Sequence, residues 1–169
     1  MTDRLDPLPG FRWGVSTAAY QIEGGMDEDS RGRSVRDTFC DRAGAVRGGD
    51  TGRVACDPYR RWPEGVGLMR GLGLDGYRFP VAWSRVQPFG RGEVSGAGLD
   101  FYERLVDGLL EAGISPLPAL YHWDLPQARP PVSPWSCTGS RVSRCPAASR
   151  STLAAVILYA WVATIRGRP

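Results

Sequence analysis

Four side chains have the types and positions that binding chemistry requires: Gln21, Arg78, His122 and Trp123. The amide of Gln21 carries donors and an acceptor, so it can hold two hydroxyl groups of a ligand at once. His122 is the only histidine of the chain, and Trp123 follows it directly. Each also has a purely structural interpretation, because a glutamine can cap a loop, a lone histidine is usually structural and a tryptophan usually belongs to a core.

Alternating strand and helix signals indicate how the chain would position these residues. Short apolar segments bounded by glycine, proline or polar residues predict strands at residues 11–18, 76–83 and 114–121. Apolar residues at helical spacing predict helices between them, at residues 57–72 and 99–112. The strands lie too far apart for hairpins, so the order predicts an α/β fold with parallel strands and right-handed crossovers.

The four candidates occupy defined places in this pattern. Gln21 follows the first strand, Arg78 lies on the second, and His122 and Trp123 end the third. In parallel α/β barrels the ligand site forms at the carboxyl ends of the strands, which is where Gln21, His122 and Trp123 would lie. Arg78 is expected to be a buried cation that needs a paired anion.

Capping residues mark where the helices begin and end. Ser34 suits the N-cap of a helix of one or two turns. Pro58 suits the first position of the next helix, although a start at Pro63 is an open alternative. Gly73 and Gly113 suit the positions just after the two long helices.

The charge of the chain is unevenly distributed. Residues 1–128 contain all 18 acidic residues and 15 of the 21 arginines, whereas residues 129–169 contain six arginines and no acid. A basic stretch can bind nucleic acid or anionic lipid. These arginines are scattered singly among proline, serine and cysteine without an amphipathic period, so no nucleic-acid partner is predicted.

Metal, membrane and export signals are absent from the sequence. The four cysteines form no CxxC pair, and with a single histidine this argues against a structural zinc site. The apolar run at residues 153–163 is shorter than the roughly 20 residues of a membrane span, so no membrane contact is predicted. Without a secretory leader pattern, we expect a cytoplasmic protein with reduced thiols.

Four segments in order resemble glycoside hydrolase family 1, the β-glucosidase-type enzymes. Residues 11–24 contain Thr-Ala-Ala-Tyr-Gln-Ile-Glu-Gly, and residues 53–59 read Arg-Val-Ala-Cys-Asp-Pro-Tyr. Residues 72–88 contain Asp-Gly-Tyr-Arg-Phe-Pro-Val-Ala-Trp-Ser-Arg, and residues 98–127 end in Tyr-His-Trp-Asp-Leu-Pro-Gln. The resemblance implies a partial (β/α)8 TIM barrel of about the first three βα units in residues 1–127.

The resemblance also implies roles for the matched residues. Gln21 would hold hydroxyls of the non-reducing sugar of a β-glucoside, His122 would bind a sugar hydroxyl, and Trp123 would line the same subsite. Arg78 would contact the nucleophilic glutamate in the complete enzyme; without it, this arginine would be unpaired or forced to solvent. Arg85 is expected to be a surface or structural arginine. No metal or organic cofactor is implied.

The catalytic carboxylates of the family have no counterpart in this chain. Retaining glycosidases use two carboxyl groups roughly 5–5.5 Å apart. In the family one lies in an Asn-Glu-Pro motif and the other in a Glu-Asn-Gly motif, whereas this sequence contains no asparagine. No catalytic residue is therefore assigned, Asp124 included, and the chain is predicted to be an inactive, truncated β-glucosidase fragment.

Residues 128–169 form a basic tail rich in proline, serine, arginine and cysteine. The resemblance and the acidic residues stop together, so we hypothesise that the tail is irregular and read from a shifted frame. If neither alternative frame of the coding DNA continued the family pattern, this hypothesis would be wrong. Two further interpretations are a sugar-binding remnant without chemistry and one half of a split barrel completed by a partner chain.

Overall fold

The computed structural model describes residues 9–127, which fold into a three-stranded parallel sheet with helices on one face. The strand order β1-β2-β3 confirms the predicted alternation of strand and helix. The strands are β1 (Gly14–Ser16), β2 (Gly76–Pro80) and β3 (Ser115–Ala119); the α-helices are α1 (Ala19–Ile22), α2 (Val35–Cys40), α3 (Pro58–Gly71), α4 (Trp83–Val86) and α5 (Gly96–Glu111), with a 3-10 turn at Arg47–Gly49.

The two faces of the sheet differ in how they are covered. Tyr77 and Phe79 of β2 are buried against a core to which α3 and α5 contribute. On the opposite face, Ser16, Arg78 and Leu117 occupy one register row, and all three are exposed. Leu117 exposes 56% of its surface. The described part of the chain therefore leaves one face of its sheet uncovered, as expected for three strands of a barrel.

All three strands are shorter than predicted, and hydrogen bonding explains where β2 ends. Val81 still donates to the carbonyl oxygen of Ala119 at 2.9 Å, but the next N–H, that of Ala82, donates to the hydroxyl of Tyr102 at 2.8 Å. Since Ala82 has left the ladder, residues 83–86 turn into α4 instead of continuing the strand. The prediction that Trp83 ends the second strand was wrong.

The outer side of β3 is unusual because two of its five residues are proline. Ser115 donates to the carbonyl oxygen of Asp75 at 2.9 Å, so the odd-numbered residues of β3 bond to β2. Pro116 and Pro118 then face away from β2, where they offer no N–H group. The outer edge of β3, which has no partner strand among the described residues, carries acceptors but lacks these two donors.

Helix α3 begins at Pro58, with non-helical backbone angles at Arg61, two residues before Pro63. A proline inside a helix lacks an N–H group and disfavours helical geometry just before it, which accounts for the irregularity. The predicted start at Pro58 is confirmed, and the alternative start at Pro63 was wrong, because Pro63 lies inside the helix. The helix ends before Gly73, which has φ +68°, a left-handed backbone conformation that residues other than glycine rarely adopt.

Helix α5 is three residues longer at its start than predicted, because Ser95 caps it. The Ser95 hydroxyl accepts a hydrogen bond from the N–H group of Gly98 at 3.2 Å. Its apolar face buries Phe101, Leu105 and Leu109 against the sheet. Gly113 follows the helix with φ +76°, and the short connection leads directly to β3.

Candidate functional site

Gln21 lies in α1, directly after the carboxyl end of β1. Thr17 connects the two elements: its N–H group donates to the carbonyl oxygen of Arg78 at 3.1 Å, and its hydroxyl lies 2.8 Å from that of Tyr77. These contacts fix the start of α1 against β2. The side chain of Gln21 is exposed and thus accessible to a ligand from solvent.

His122 and Trp123 lie in the turn that follows β3. The indole N–H of Trp83 donates to the carbonyl oxygen of Leu120, which ties this turn to α4. Trp123 has φ +70° and exposes 65% of its surface. A bulky residue with positive φ is a strained conformation, and such strain concentrates at functional sites. His122 is half-buried.

Gln21 and the pair His122 and Trp123 therefore share the carboxyl edge of the sheet, at the ends of β1 and β3. Strand β2 separates them, and within residues 9–127 no hydrogen bond joins Gln21 to either residue. A cavity of about 430 Å³ opens between β1, α3 and α5, but none of the three residues lines it. The described residues place the candidates on one edge without forming a closed pocket around them.

Arg78 points to solvent from the middle of the uncovered sheet face. Its guanidinium donates to the hydroxyl of Ser16 at 3.1 Å, and it forms no ion pair among the described residues. Of the two outcomes expected for an arginine without its anionic partner, the exposed one is observed. Its side chain is exposed to solvent, so its charge carries no burial penalty.

A buried polar cluster that we call the hub joins Glu23, Arg85 and Tyr102. Arg85 is 0% exposed, and its Nε donates to Glu23 Oε1 at 2.6 Å. Tyr102 donates to the second oxygen of Glu23 at 2.8 Å. Burial raises the pKa of Tyr102 well above its usual value, and the nearby charge of Glu23 adds to the effect. The hub links the segments after β1 and β2 to helix α5.

Arg85 makes further contacts that offset part of the cost of its burial, although its Nη1 has no hydrogen-bond partner among the described residues. One terminal nitrogen donates to the carbonyl oxygens of Gly24 and Gly25, at 3.0 and 3.2 Å. Its guanidinium carbon lies 3.7 Å from the centroid of the Tyr59 ring, a cation–π contact. Arg85 is thus a structural arginine, one of the two roles expected for it, and it fixes the turn that follows Gln21 and Glu23.

A second set of contacts, which we call the clasp, attaches residues 33–35 to residues 125–127. Val35 donates to the carbonyl oxygen of Leu125 at 2.9 Å, and Gln127 donates to that of Arg33 at 2.7 Å. Between them Ser34 and Pro126 form an antiparallel bridge. The clasp holds the segment that carries His122 and Trp123 against the loop that follows α1.

Ser34 fulfils its predicted capping role at the centre of the clasp. Its hydroxyl accepts from the N–H group of Asp37 at 3.2 Å, and the Asp37 carboxylate accepts from the N–H of Ser34 at 2.6 Å, forming a capping box. Arg31 donates to the same carboxylate at 2.9 Å, and both side chains are buried. The start of α2 is therefore fixed by reciprocal hydrogen bonds and a buried ion pair.

Asp124 lies beside the clasp as a buried carboxyl group without a partner. It is 3% exposed, and no hydrogen bond of ordinary geometry reaches either of its oxygens. Burial raises its pKa to about 6; Arg31 opposes this rise, the charges of Asp37 and Glu23 add to it, and the nearby Ser34 hydroxyl lowers it. Nothing in the sequence indicates that Asp124 is a buried carboxyl with a raised pKa.

The hub and Asp124 are the parts of the site that sequence reasoning missed. A signal for the hub exists, because Arg85 follows an apolar run from Val81 to Trp83 and would need a buried anion if that run is core. Nothing in the sequence identifies Glu23 as the anion, since 62 residues separate it from Arg85.

Within residues 9–127, no cluster of histidine, cysteine or acidic residues could hold a metal ion. Cys40 and Cys56 are free thiols. No helix in the same range is long and apolar enough to cross a membrane. The predictions for the tail, including its boundary at residue 128, lie outside the described residues.

Three parallel strands joined by helical crossovers place the described part of the chain in the α/β class, as expected for part of a barrel. The chain belongs to glycosyl hydrolase family 1, whose sequence model matches residues 6–136. It is 52% identical over 119 residues to beta-glucosidase A of Thermotoga maritima and 55% identical over 127 residues to thermostable beta-glucosidase B of Thermobispora bispora.

These similarities cover most of this chain but little of the relatives. The alignments include 70% and 75% of the chain, and 27% and 26% of the two relatives. The solved structure of the family 1 β-glucosidase from Thermotoga maritima matches with a TM-score of 0.69 over 71% of this chain and 27% of that one. The chain thus spans about a quarter of the length of the relatives it matches, and its sheet is part of their barrel.

Proposed function

We propose that this chain is the N-terminal part of a retaining β-glucosidase, to which it contributes sugar-binding residues but no catalytic carboxylate. Membership of glycosyl hydrolase family 1 supports the proposal most strongly. The exposure of Gln21 and Trp123 on one edge of the sheet agrees with contact to sugar hydroxyls and to a sugar face. The substrate class is a β-linked glucoside or a related sugar.

The proposed lack of activity of the chain alone rests on its carboxyl groups. Retention needs two carboxyls roughly 5–5.5 Å apart, one as nucleophile and one as acid/base. Glu23 is committed to Arg85 and Tyr102, and Asp124 is enclosed away from the exposed edge. The 169-residue chain is therefore expected to release no 4-nitrophenol from 4-nitrophenyl β-D-glucopyranoside above the blank.

A chimeric enzyme tests the sugar-binding part of the proposal. Residues 9–127 would replace the aligned portion of beta-glucosidase A of Thermotoga maritima, so that the remainder supplies the catalytic groups. The chimera is expected to hydrolyse the same substrate. A chimera that folds, by circular dichroism, but remains inactive would contradict the proposal.

Gln21→Ala in this chimera then measures the proposed contact. Loss of hydrogen bonds to two hydroxyls should lower kcat/KM by roughly ten- to a hundredfold, since each is worth about 0.5–1.5 kcal/mol. Gln127→Ala is the matched control, because Gln127 is also exposed but lies beyond the turn of His122. Equal losses in the two variants would remove the assigned role of Gln21.

A second candidate, completion of the barrel by a partner chain, is favoured by the uncovered face around Arg78 and Leu117. A separately expressed remainder of the same Thermotoga enzyme serves as the probe. Activity that appears only on mixing the two chains would support it. No activity on mixing, although the covalent chimera is active, would exclude it for this pair.

A further inference from the structure

The segment that carries His122 and Trp123 is held to the rest of the fold chiefly by the clasp. The clasp consists of two backbone hydrogen bonds, which together form the Ser34 to Pro126 bridge, and the Trp83 indole holds the chain at Leu120, just before the segment. Such a contact between two loops can open without unfolding the sheet, because it contributes few core side chains. Whatever changes the stability of the clasp therefore changes the position of His122 and Trp123.

Asp124 lies in the same segment and is enclosed by the loops on either side of the clasp. Together with Tyr20, Glu23 and Arg31 it lines a cavity of about 10 Å³, which is the size of one water molecule. No hydrogen bond of ordinary geometry reaches either oxygen of Asp124 or the Tyr20 hydroxyl, although the Ser34 hydroxyl lies near the Asp124 carboxyl. One buried water between them would serve these groups but would not neutralise a carboxylate.

The charged groups around Asp124 do not supply that neutralisation. Glu23 and Asp37 carry the same sign as an ionised Asp124, and Glu23 is already paired with Arg85. Arg31, the nearby cation, donates to Asp37 at 2.9 Å and to the carbonyl oxygen of Gly32 at 3.1 Å. An ionised Asp124 is therefore desolvated and has no cation of its own, because Arg31 and Arg85 are paired with other carboxylates.

We propose that Asp124 makes the clasp sensitive to protons: the protonated carboxyl stays enclosed, and its ionisation favours an open state in which the segment with His122 and Trp123 detaches. The open state places the carboxylate in water, where its charge is stabilised. Closing returns it to the cavity beside Tyr20, Glu23 and Arg31. The other two acids have cationic partners, so Asp124 is the group whose ionisation drives the opening.

Hydrogen exchange read by mass spectrometry on the full 169-residue chain tests this device without requiring enzymatic activity. After correction for intrinsic exchange rates, the opening equilibrium of peptides covering residues 33–35 and 122–127 should rise on the order of tenfold from pH 4.5 to pH 7.5. This follows from a carboxyl that titrates near 4 when open and about 6 when enclosed. Peptides from α5 should show no such rise.

Asp124→Asn keeps the shape of the side chain but removes its charge, so it should abolish this pH dependence. Asp100→Asn, at an exposed position of α5, is the matched control and should retain it. An unchanged pH dependence in Asp124→Asn would overturn the proposal. If that variant does not fold, carbon-13 NMR of the wild-type Asp124 carboxyl decides, and a titration midpoint below 5 would equally overturn it.

Discussion

Replacing Arg85 by methionine tests whether the hub determines the stability of this part of the barrel. Methionine fills much of the same volume but leaves Glu23 buried without a cation and the carbonyl oxygens of Gly24 and Gly25 without their donor. Removing one partner of a buried ion pair destabilises proteins by about 3–5 kcal/mol. That is a large share of the roughly 5–15 kcal/mol that keeps a domain folded.

Urea unfolding followed by far-UV circular dichroism at pH 7.5 gives the free energy of unfolding for each variant. Arg85→Met is expected to lose about 3–5 kcal/mol or to be unfolded in buffer. Arg61→Met is the matched control, because the exposed pair of Arg61 with Glu64 should contribute nothing measurable. The contrast isolates burial as the cause, since both changes remove one arginine from one ion pair.

The double variant Glu23→Leu with Arg85→Met distinguishes the unpaired charge from lost packing. It removes both charges, so it should recover a substantial part of the stability lost in Arg85→Met, as happens when buried ion pairs are replaced by apolar residues. Recovery should also be visible if the single variant is unfolded. A double variant no more stable than Arg85→Met would refute the assignment of the loss to the charge of Glu23.

Four smaller changes have expected signs that follow from other contacts. Asp124→Asn should raise the free energy of unfolding by about 3 kcal/mol at pH 7.5, because the native state binds the proton more tightly than the unfolded chain, with pKa about 6 against 3.8. The wild-type chain loses stability as pH rises from about 4 through about 6, where Asp124 ionises, so the advantage of Asp124→Asn should vanish below pH 4. An equal advantage at pH 7.5 and below pH 4 would contradict this reasoning. Gly67→Ala in α3, where an added Cβ meets open space, should stabilise by roughly 0.5–1 kcal/mol, whereas Gly98→Ala should destabilise because its Cβ would overlap the carbonyl oxygen of Arg85; both are measured by thermal unfolding. Ser34→Ala should lower stability by about 1 kcal/mol through loss of its cap, and no change in urea midpoint would argue against the capping box.

Local signals predicted the features that depend on few neighbours. The cap at Ser34, the glycines after α3 and α5, and the apolar face of α5 follow from backbone geometry and helical period, and all are confirmed. The parallel orientation of the strands followed from the long connections, which exclude hairpins, and is confirmed. The assigned roles of Gln21, His122 and Trp123 in sugar binding stay predictions.

Features that depend on contacts distant in sequence were not predictable in the same way. The end of β2 is set by the hydroxyl of Tyr102, 20 residues away from the backbone group it accepts from. The hub joins residues 62 and 79 positions apart, and the burial of Asp124 depends on loops that meet only in the folded chain. The spacing of apolar residues carries no information about such pairs, because many polar residues in the sequence could form a hydrogen bond or ion pair with the same side chain.

Within residues 9–127 the sheet has two unpaired edges, and the prolines of β3 give them different tendencies to recruit other chains. On the outer side of β1, Gly14 and Ser16 present N–H and C=O groups that could bond to an added strand, as exposed edges do in aggregation. On the outer side of β3, Pro116 and Pro118 withhold two donors. Intermolecular sheets formed by this chain should therefore grow preferentially from β1, so self-association would be directional.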